Sequence, residues 1–321
     1  MQYIVSPDGA GGFTSLQAAV DAVPAAPAEP VTILLRSGVY PERAVIHRNN
    51  LRVIGESREG TVLTASACAK DYEGPYATYL TATLMVTGRN VTLENLTVRN
   101  DAGDGRRAGQ AVALYAAGDG GIFRNLDLIA NQDTLFCGPL NPTVSDFISP
   151  RQGAAECVRV ENLGSCTETR SSLYFENCRI RGDVDFIFGP YRCWFEGCSL
   201  YMNERGGFYT AANTPEEQSL GFVFHACTLT GDCPAGEGWL GRPWRKFART
   251  VFLNCEMDEQ VAPAGFTDWD SERVVTARMG EYGTTGARAD LSCRNPAEKR
   301  LTEAEAAALA DAFRSVFPRK V

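Results

Sequence analysis

The sequence predicts an all-β fold, a single-stranded right-handed parallel β-helix with a short helix near each terminus, and three observations predict it. First, six segments share one pattern: alternating apolar residues, a small residue or asparagine, then Leu or Cys, then another apolar residue two further on. They are VTLENLTV (91–98), GIFRNLDL (121–128), LYFENCRI (173–180), CWFEGCSL (193–200), FVFHACTL (222–229) and TVFLNCEM (250–257). Such short alternation is the signature of strands. Second, the markers Asn95, Asn125, Asn177, Gly197, Ala226 and Asn254 follow one another at steps of 30, 52, 20, 29 and 28 residues. Steps of about 20 to 30 residues match one coil of a solenoid whose neighbours stack to share a core. Third, Cys178, Cys198, Cys227 and Cys255 each follow a marker directly. That register makes them one inward column of small side chains, with no tetrahedral arrangement that would suit a metal.

The remaining elements follow in order. Thr14 and Gln17 in FTSLQAAVDAVP stand in capping-box relation, opening an amphipathic helix within 13–24 that ends at Pro24. At the other end LTEAEAAALADAFRSVF predicts a helix over 302–317, with Thr302 and Glu305 in the same relation. Both helices are expected to cover the open ends of the solenoid. VRVENLGS repeats the strand pattern with Asn162 as marker, but the 15 residues to Asn177 are too few for a coil. The segment 137–170 therefore reads as an insertion between two coils of a single β-helix domain, 1–321.

Composition narrows the function. The 321 residues carry 31 Lys and Arg against 39 Asp and Glu, a net charge of -8, which excludes a basic nucleic-acid binder. With 44% apolar and 22% charged residues the chain can build a full core. No run approaches the roughly 18 apolar residues of a membrane span. Nothing at the start has the pattern of a signal peptide, so the expected location is cytoplasmic, or secreted if an export signal was removed. Eleven cysteines, an odd number in a chain this long, read as reduced thiols rather than a disulfide scaffold. There is no CxxC, and His47 and His225 are the only histidines, so no zinc site and no cofactor are called for. Both histidines read as structural. A serine hydrolase would want a GxSxG elbow, which is absent. The chemistry falls to carboxylates, amides and arginine.

Register singles out two acids. Asp133 lies eight residues after Asn125, and Asp185 eight after Asn177. If the insertion leaves the stack intact, they share a column on adjacent coils, about 4.8 Å apart along the axis. Two carboxylates that close cannot both ionise cheaply, so one keeps its proton. Such a pair supplies an acid together with a base or nucleophile. Their settings, QDTLF and VDFIFG, are too apolar for ordinary solvated turns.

The chain as a whole resembles the pectin methylesterases, carboxylic-ester hydrolases of parallel β-helix fold that remove methyl groups from methylated polygalacturonate. YIVSPDGAGGFTSLQAAVDAVP resembles their opening segment, and GVYPE (38–42) their GxYxE element. GQAVAL (109–114), NQDTLF (131–136), GDVDFIFG (182–189) and LGRPW (240–244) resemble the four stretches that carry the family's active site. GEYGTTGARAD (280–290) is similar to a late family element. By position, the resemblance implies that Asp185 is the nucleophile and Asp133 the acid that protonates departing methanol and then activates water. Gln110 and Gln132 would donate amide hydrogens to the oxyanion, and Arg242 would hold Asp185 ionised through a planar fork. Phe188, Trp244, Phe136 and Trp239 would stack on sugar faces. Tyr40 and Glu42 carry either a structural or a functional reading.

Three departures qualify the match. The stretch between QD and DFIFG is much longer than is usual in the family, family members generally act outside the cell, and Phe136 and Trp239 stand where tyrosine is common. The implied partner is a methyl-esterified galacturonan or its oligomers. The competing readings are a polygalacturonase-like glycosidase, whose histidine-centred GHG element is missing, and a non-catalytic pectin-binding β-helix, which would not require two acids, two glutamines and an arginine. A lyase would need a calcium-binding acid set, of which the sequence offers nothing distinctive.

Overall fold

The computed structural model describes residues 1–74, 77–139 and 170–317. Successive coils place one strand in each of three parallel sheets, which have twelve, nine and six strands among the described residues. The architecture is a right-handed parallel β-helix. Gly121–Arg124 pairs directly with Ser172–Glu176, and Leu135 with Ile187, so the coils flanking the 52-residue step are immediate neighbours. Most of the expected insertion, 140–169, lies outside the described residues.

The marker column has a conformational cause. Asn95, Asn125, Asn177, Gly197, Ala226 and Asn254 all adopt left-handed backbone, with φ between 51° and 58°. Asparagine and glycine tolerate that region best, and each marker bends the chain from the twelve-stranded sheet into the nine-stranded one. The asparagines also link coils: the Asn125 amide donates to the Asn95 side-chain oxygen at 3.0 Å, and Asn177 to Asn125 at 2.7 Å.

Inside, Phe123, Phe175, Phe195, Phe224 and Phe252 form a stacked column with centroid separations of 4.6, 4.6, 4.4 and 4.7 Å. This is the strand spacing itself, so one in-register position per coil produces a continuous aromatic stack. Cys178, Cys198, Cys227 and Cys255 are buried beside it, and burial pushes the first three thiols far up in pKa. These cysteines are core. The position after Phe252 in the column is Glu281, whose carboxylate is forked by Arg294 at 2.6 and 3.2 Å. A buried ion pair therefore closes this end of the stack.

The N-terminal helix, Leu16–Ala22, turns Leu16, Ala19 and Val20 into the first coils. It begins one residue later than the sequence pattern implied: Ser15, not Thr14, is the N-cap, and its hydroxyl accepts from the Ala18 N–H at 3.2 Å. The reciprocal partner is not Gln17, whose side-chain oxygen accepts from the Val45 N–H at 2.7 Å. Instead the Glu42 carboxylate accepts the free N–H groups of Leu16 and Gln17 at 2.6 and 3.2 Å. Tyr40 is buried, with its hydroxyl donating to the Arg36 carbonyl at 2.7 Å. The GVYPE element thus anchors a helix and a turn.

The C-terminal helix, Glu303–Val316, starts with the Thr302–Glu305 capping box. It does not cover an open end, as expected, but lies along the flank of the twelve-stranded sheet. There Ala306, Leu309 and Phe313 pack on Tyr174, Trp194, Val223, Val251 and Leu253. These outward strand positions are themselves apolar, and a solenoid flank of that character has to be covered.

Candidate active site

The site is built on the six-stranded sheet and the bends leading into it. The Asp133 N–H donates to the Val184 carbonyl at 3.0 Å and Phe136 pairs with Phe188, so Asp133 and Asp185 occupy the same position on adjacent coils. Both have positive φ, 66° and 53°. Each acid is therefore a second marker on its coil, at the bend from the nine-stranded into the six-stranded sheet. Both are only 8% exposed.

The two acids differ in what faces them. Arg242, in the LGRPW stretch, donates from Nε and Nη2 to the two Asp185 oxygens at 2.8 and 2.7 Å, a bidentate fork. Its own N–H donates to the Thr210 carbonyl, and the Trp244 N–H to that of Ala212, which lays the loop along the edge of the sheet. The guanidinium also lies over the rings of Phe208 and Trp269, 4.1 Å from each centroid. Asp133 has no hydrogen bond to its carboxyl among the described residues. Burial, and then the Asp185 charge, push its pKa well above the usual carboxylate range. Burial also raises Asp185, but the hydrogen bonds and charge of Arg242 pull the other way. The proton of the pair accordingly belongs on Asp133, and the negative charge on Asp185.

Gln110 and Gln132 come from adjacent coils: the Gln132 carbonyl accepts from the Ala111 N–H at 3.0 Å. Neither side-chain amide makes a hydrogen bond among the described residues, so their N–H groups are available. Gly105 allows a close approach here, since a Cβ on it would stand 3.0 Å from Gln132 Oε1 and 2.9 Å from Arg205 Nη1. A polar cavity of about 560 Å³ adjoins this point, lined by Arg106, Asn131, Arg181, Asp183, Asn203 and Arg205 among others. It contains neither Asp133 nor Asp185.

The aromatic residues divide into two groups. Phe136 and Phe188 are only 4% exposed, in a row with Tyr115 on the outer face of the six-stranded sheet. Tyr79 stands 5.0 Å from Phe136, and Trp244 6.1 Å from Phe188, centroid to centroid. The two phenylalanines therefore form a floor rather than an open stacking platform. Trp244 and Trp239 are half-buried, Trp239 pairing with Phe208 in a separate two-stranded sheet. Trp269, 38% exposed, was not singled out by any sequence pattern. It sits in FTDWD beyond the last repeat, and only folding brings it to Arg242.

The described residues thus combine a parallel β-helix with an arginine-forked carboxylate, a second buried carboxyl in register on the adjacent coil and two glutamine side chains without hydrogen-bond partners, which defines a class of carboxylate-centred site. The pectinesterase family model matches residues 2–140 and 167–310, and the chain belongs to the pectinesterase family. Among curated relatives, a probable pectinesterase/pectinesterase inhibitor of Arabidopsis thaliana (number 6) is 32% identical over 301 residues, covering 91% of this chain and 47% of that one. Pectinesterase QRT1 of the same plant is 30% identical, covering 94% and 74%. The chain spans about half the length of the first curated relatives it matches. Among solved structures, pectin methylesterase from carrot superposes with a TM-score of 0.79 at 26% identity, covering 98% of this chain and 95% of that one. A pectin methylesterase in complex with a hexasaccharide gives 0.77 at 27%, covering 99% and 97%. Of the two locations considered, this kinship fits the secreted one and gives the cytoplasmic one no support.

Proposed function

We propose that the protein hydrolyses galacturonate methyl esters in pectin or methylated oligogalacturonides, releasing methanol, by a two-aspartate covalent mechanism. The observation that carries this reading is the Arg242 fork on Asp185, with Asp133 in register on the next coil and lacking any such partner. Asp185, ionised, attacks the ester carbonyl carbon, and the tetrahedral oxyanion is met by the amide N–H groups of Gln110 and Gln132. Collapse breaks the bond to the methoxy oxygen, which takes the Asp133 proton and leaves as methanol. The resulting acyl-enzyme anhydride is opened by water, whose proton returns to Asp133. The hydroxyl adds to the substrate carbonyl and Asp185 departs as carboxylate, leaving a free galacturonate carboxyl.

Trp244, Trp239 and Trp269 offer ring faces to pyranose units, with Phe136 and Phe188 beneath. The adjoining cavity places Arg106, Arg181 and Arg205 where free carboxylates of neighbouring units can be met. The relative crystallised with a hexasaccharide supports oligomer-sized occupants. The test is product analysis on methylated pectin and methylated trimers. Methanol release without new reducing ends or unsaturated ends is expected. Reducing ends would favour a glycosidase, unsaturated ends a lyase, and the absence of all three a binding protein.

A further inference from the structure

A second crevice, remote from the acid pair, lies between the C-terminal helix and the twelve-stranded sheet. Its volume is about 610 Å³, and Leu220, Val251, Met279, Leu301 and Leu309 supply much of its lining. The helix contributes Ala308 and Ala312 there, small side chains that leave the space unfilled.

Three cations stand in this apolar setting, Arg249, Arg278 and Lys299. Arg249 and Arg278 are register partners on adjacent parallel strands, so like charges face each other across the ladder, an arrangement that costs stability. Arg278 is satisfied: its guanidinium donates to the carbonyls of Gln218, Pro215 and Phe247 at 2.7 to 3.2 Å. Lys299 pairs with Glu305, which consumes the crevice's own carboxylate. Arg249 is left. Its guanidinium has no hydrogen bond and no ion pair among the described residues, and its Nε is buried without a partner. Its backbone N–H is held by the Thr214 hydroxyl at 3.1 Å, which fixes the residue in place. A half-buried guanidinium whose Nε is buried without a partner is costly without an anion, and no acid in the lining is free to supply one.

We propose that this crevice binds an amphipathic monocarboxylate, its carboxylate forked by Arg249 and its hydrocarbon portion laid between the helix and the sheet. Charge complementarity selects an anion, the planar guanidinium fork favours a carboxylate, and the leucine, valine and methionine lining requires an apolar body. The site shares no residue with the acid pair or its arginine, so the proposal stands apart from the esterase reading.

The experiment is calorimetric titration of the full chain with sodium acetate, butanoate, hexanoate and octanoate. Octanoate is expected to bind with a sub-millimolar Kd, and each added methylene to tighten binding about fourfold. Arg249→Gln should weaken octanoate at least about tenfold, the effect of losing a charge-assisted pair, while methanol release from methylated pectin stays unchanged. Ala312→Leu, which fills the crevice and keeps the cation, should abolish the dependence on chain length. Failure of octanoate to bind at millimolar concentration, acetate binding as well as octanoate, or undiminished octanoate affinity in Arg249→Gln would each overturn the proposal. If Arg249→Gln does not fold, the chain-length series on the parent and on Ala312→Leu decides the matter.

Discussion

Replacing Arg242 with lysine preserves the charge and removes the fork, and so isolates what the geometry contributes. The guanidinium makes two bonds to Asp185, at 2.8 and 2.7 Å, and lies 4.1 Å from the centres of two rings. An ammonium keeps at most one of those bonds in comparable geometry and stacks less well. Losing one charge-assisted hydrogen bond costs about 1.5–3 kcal/mol. Through the tenfold-per-1.36 kcal/mol relation, that range lowers kcat about 13- to 160-fold. The same change alters the acidity of the nucleophile. Arg242 is what opposes burial at Asp185, so weakening it raises the folded-state pKa, by about one unit per 1.4 kcal/mol of lost preference for the charged form. In the proposed mechanism activity requires ionised Asp185 and falls as pH drops through that pKa. The acid limb of kcat/KM should therefore move to higher pH in Arg242→Lys, and further in Arg242→Ala. The assay is methanol release from methylated pectin across a pH series, with circular dichroism to verify folding. An acid limb that stays in place, together with a kcat loss below about threefold, would refute the role assigned to Arg242.

Asp185→Asn should abolish turnover while leaving oligosaccharide binding, whereas Asp133→Asn should cost about 10²-fold or more in kcat. Because the Asp133 pKa is raised and its proton is required, the alkaline limb of the parent profile should be absent from Asp133→Asn; kinetics with methyl-esterified trimers decides both. Ala226 holds left-handed backbone at φ 51°, so Ala226→Asn should gain about 1 kcal/mol in urea unfolding. Gly197→Ala, at φ 56° with open space around its Cβ position, should lose a similar amount, about 1 kcal/mol. Burial and the neighbouring Glu281 push the Glu298 carboxyl up to about 10, so it is neutral when folded at pH 7. Its contribution is complete below the unfolded pKa of about 4.3 and is lost progressively as pH rises toward the folded value. Glu298→Gln should therefore lose less of its urea midpoint between pH 5 and pH 8.5 than the parent does. An identical loss in both proteins would count against that account.

The readability of this chain depends on whether a feature repeats with the coil. The marker column was visible because left-handed backbone at one bend per coil restricts residue choice to Asn, Gly and one tolerated Ala. The cysteine column was visible for a related reason, since one inward position per coil beside the aromatic stack takes an apolar side chain, Leu96 and Leu126 on two coils and cysteine on the four that follow. Adding a constant offset to the markers then placed Asp133 and Asp185 side by side, and the 52-residue step did not spoil the sum because the strands on either side of it pair directly. Where the coil pattern stops, the sequence signal weakens. Ser15 caps the first helix locally, but Glu42 completes the capping through contacts 26 and 25 residues apart, beyond any local motif. The C-terminal helix showed its capping box but not its resting place, because docking was decided by outward residues on four separate coils.

The same distinction explains the site itself. Asp133, Asp185 and Gln132 are carried by coil geometry, and their mutual placement follows from strand register alone. Arg242 and Trp269 are not, since they come from loops beyond the six-stranded sheet and meet only at the guanidinium. Yet the difference between the two acids rests on that loop. Two aspartates in equivalent bends on adjacent coils have nearly the same backbone and the same exposure, 8%. A perfectly repeating solenoid would give them equal claims to the proton. Arg242 breaks the equivalence by reaching one acid and not the other. The distinction between the two acids therefore rests on a non-repeating loop, which is why the nucleophile role proposed for Asp185 had to come from family resemblance at the sequence level and from hydrogen-bond geometry in the folded chain.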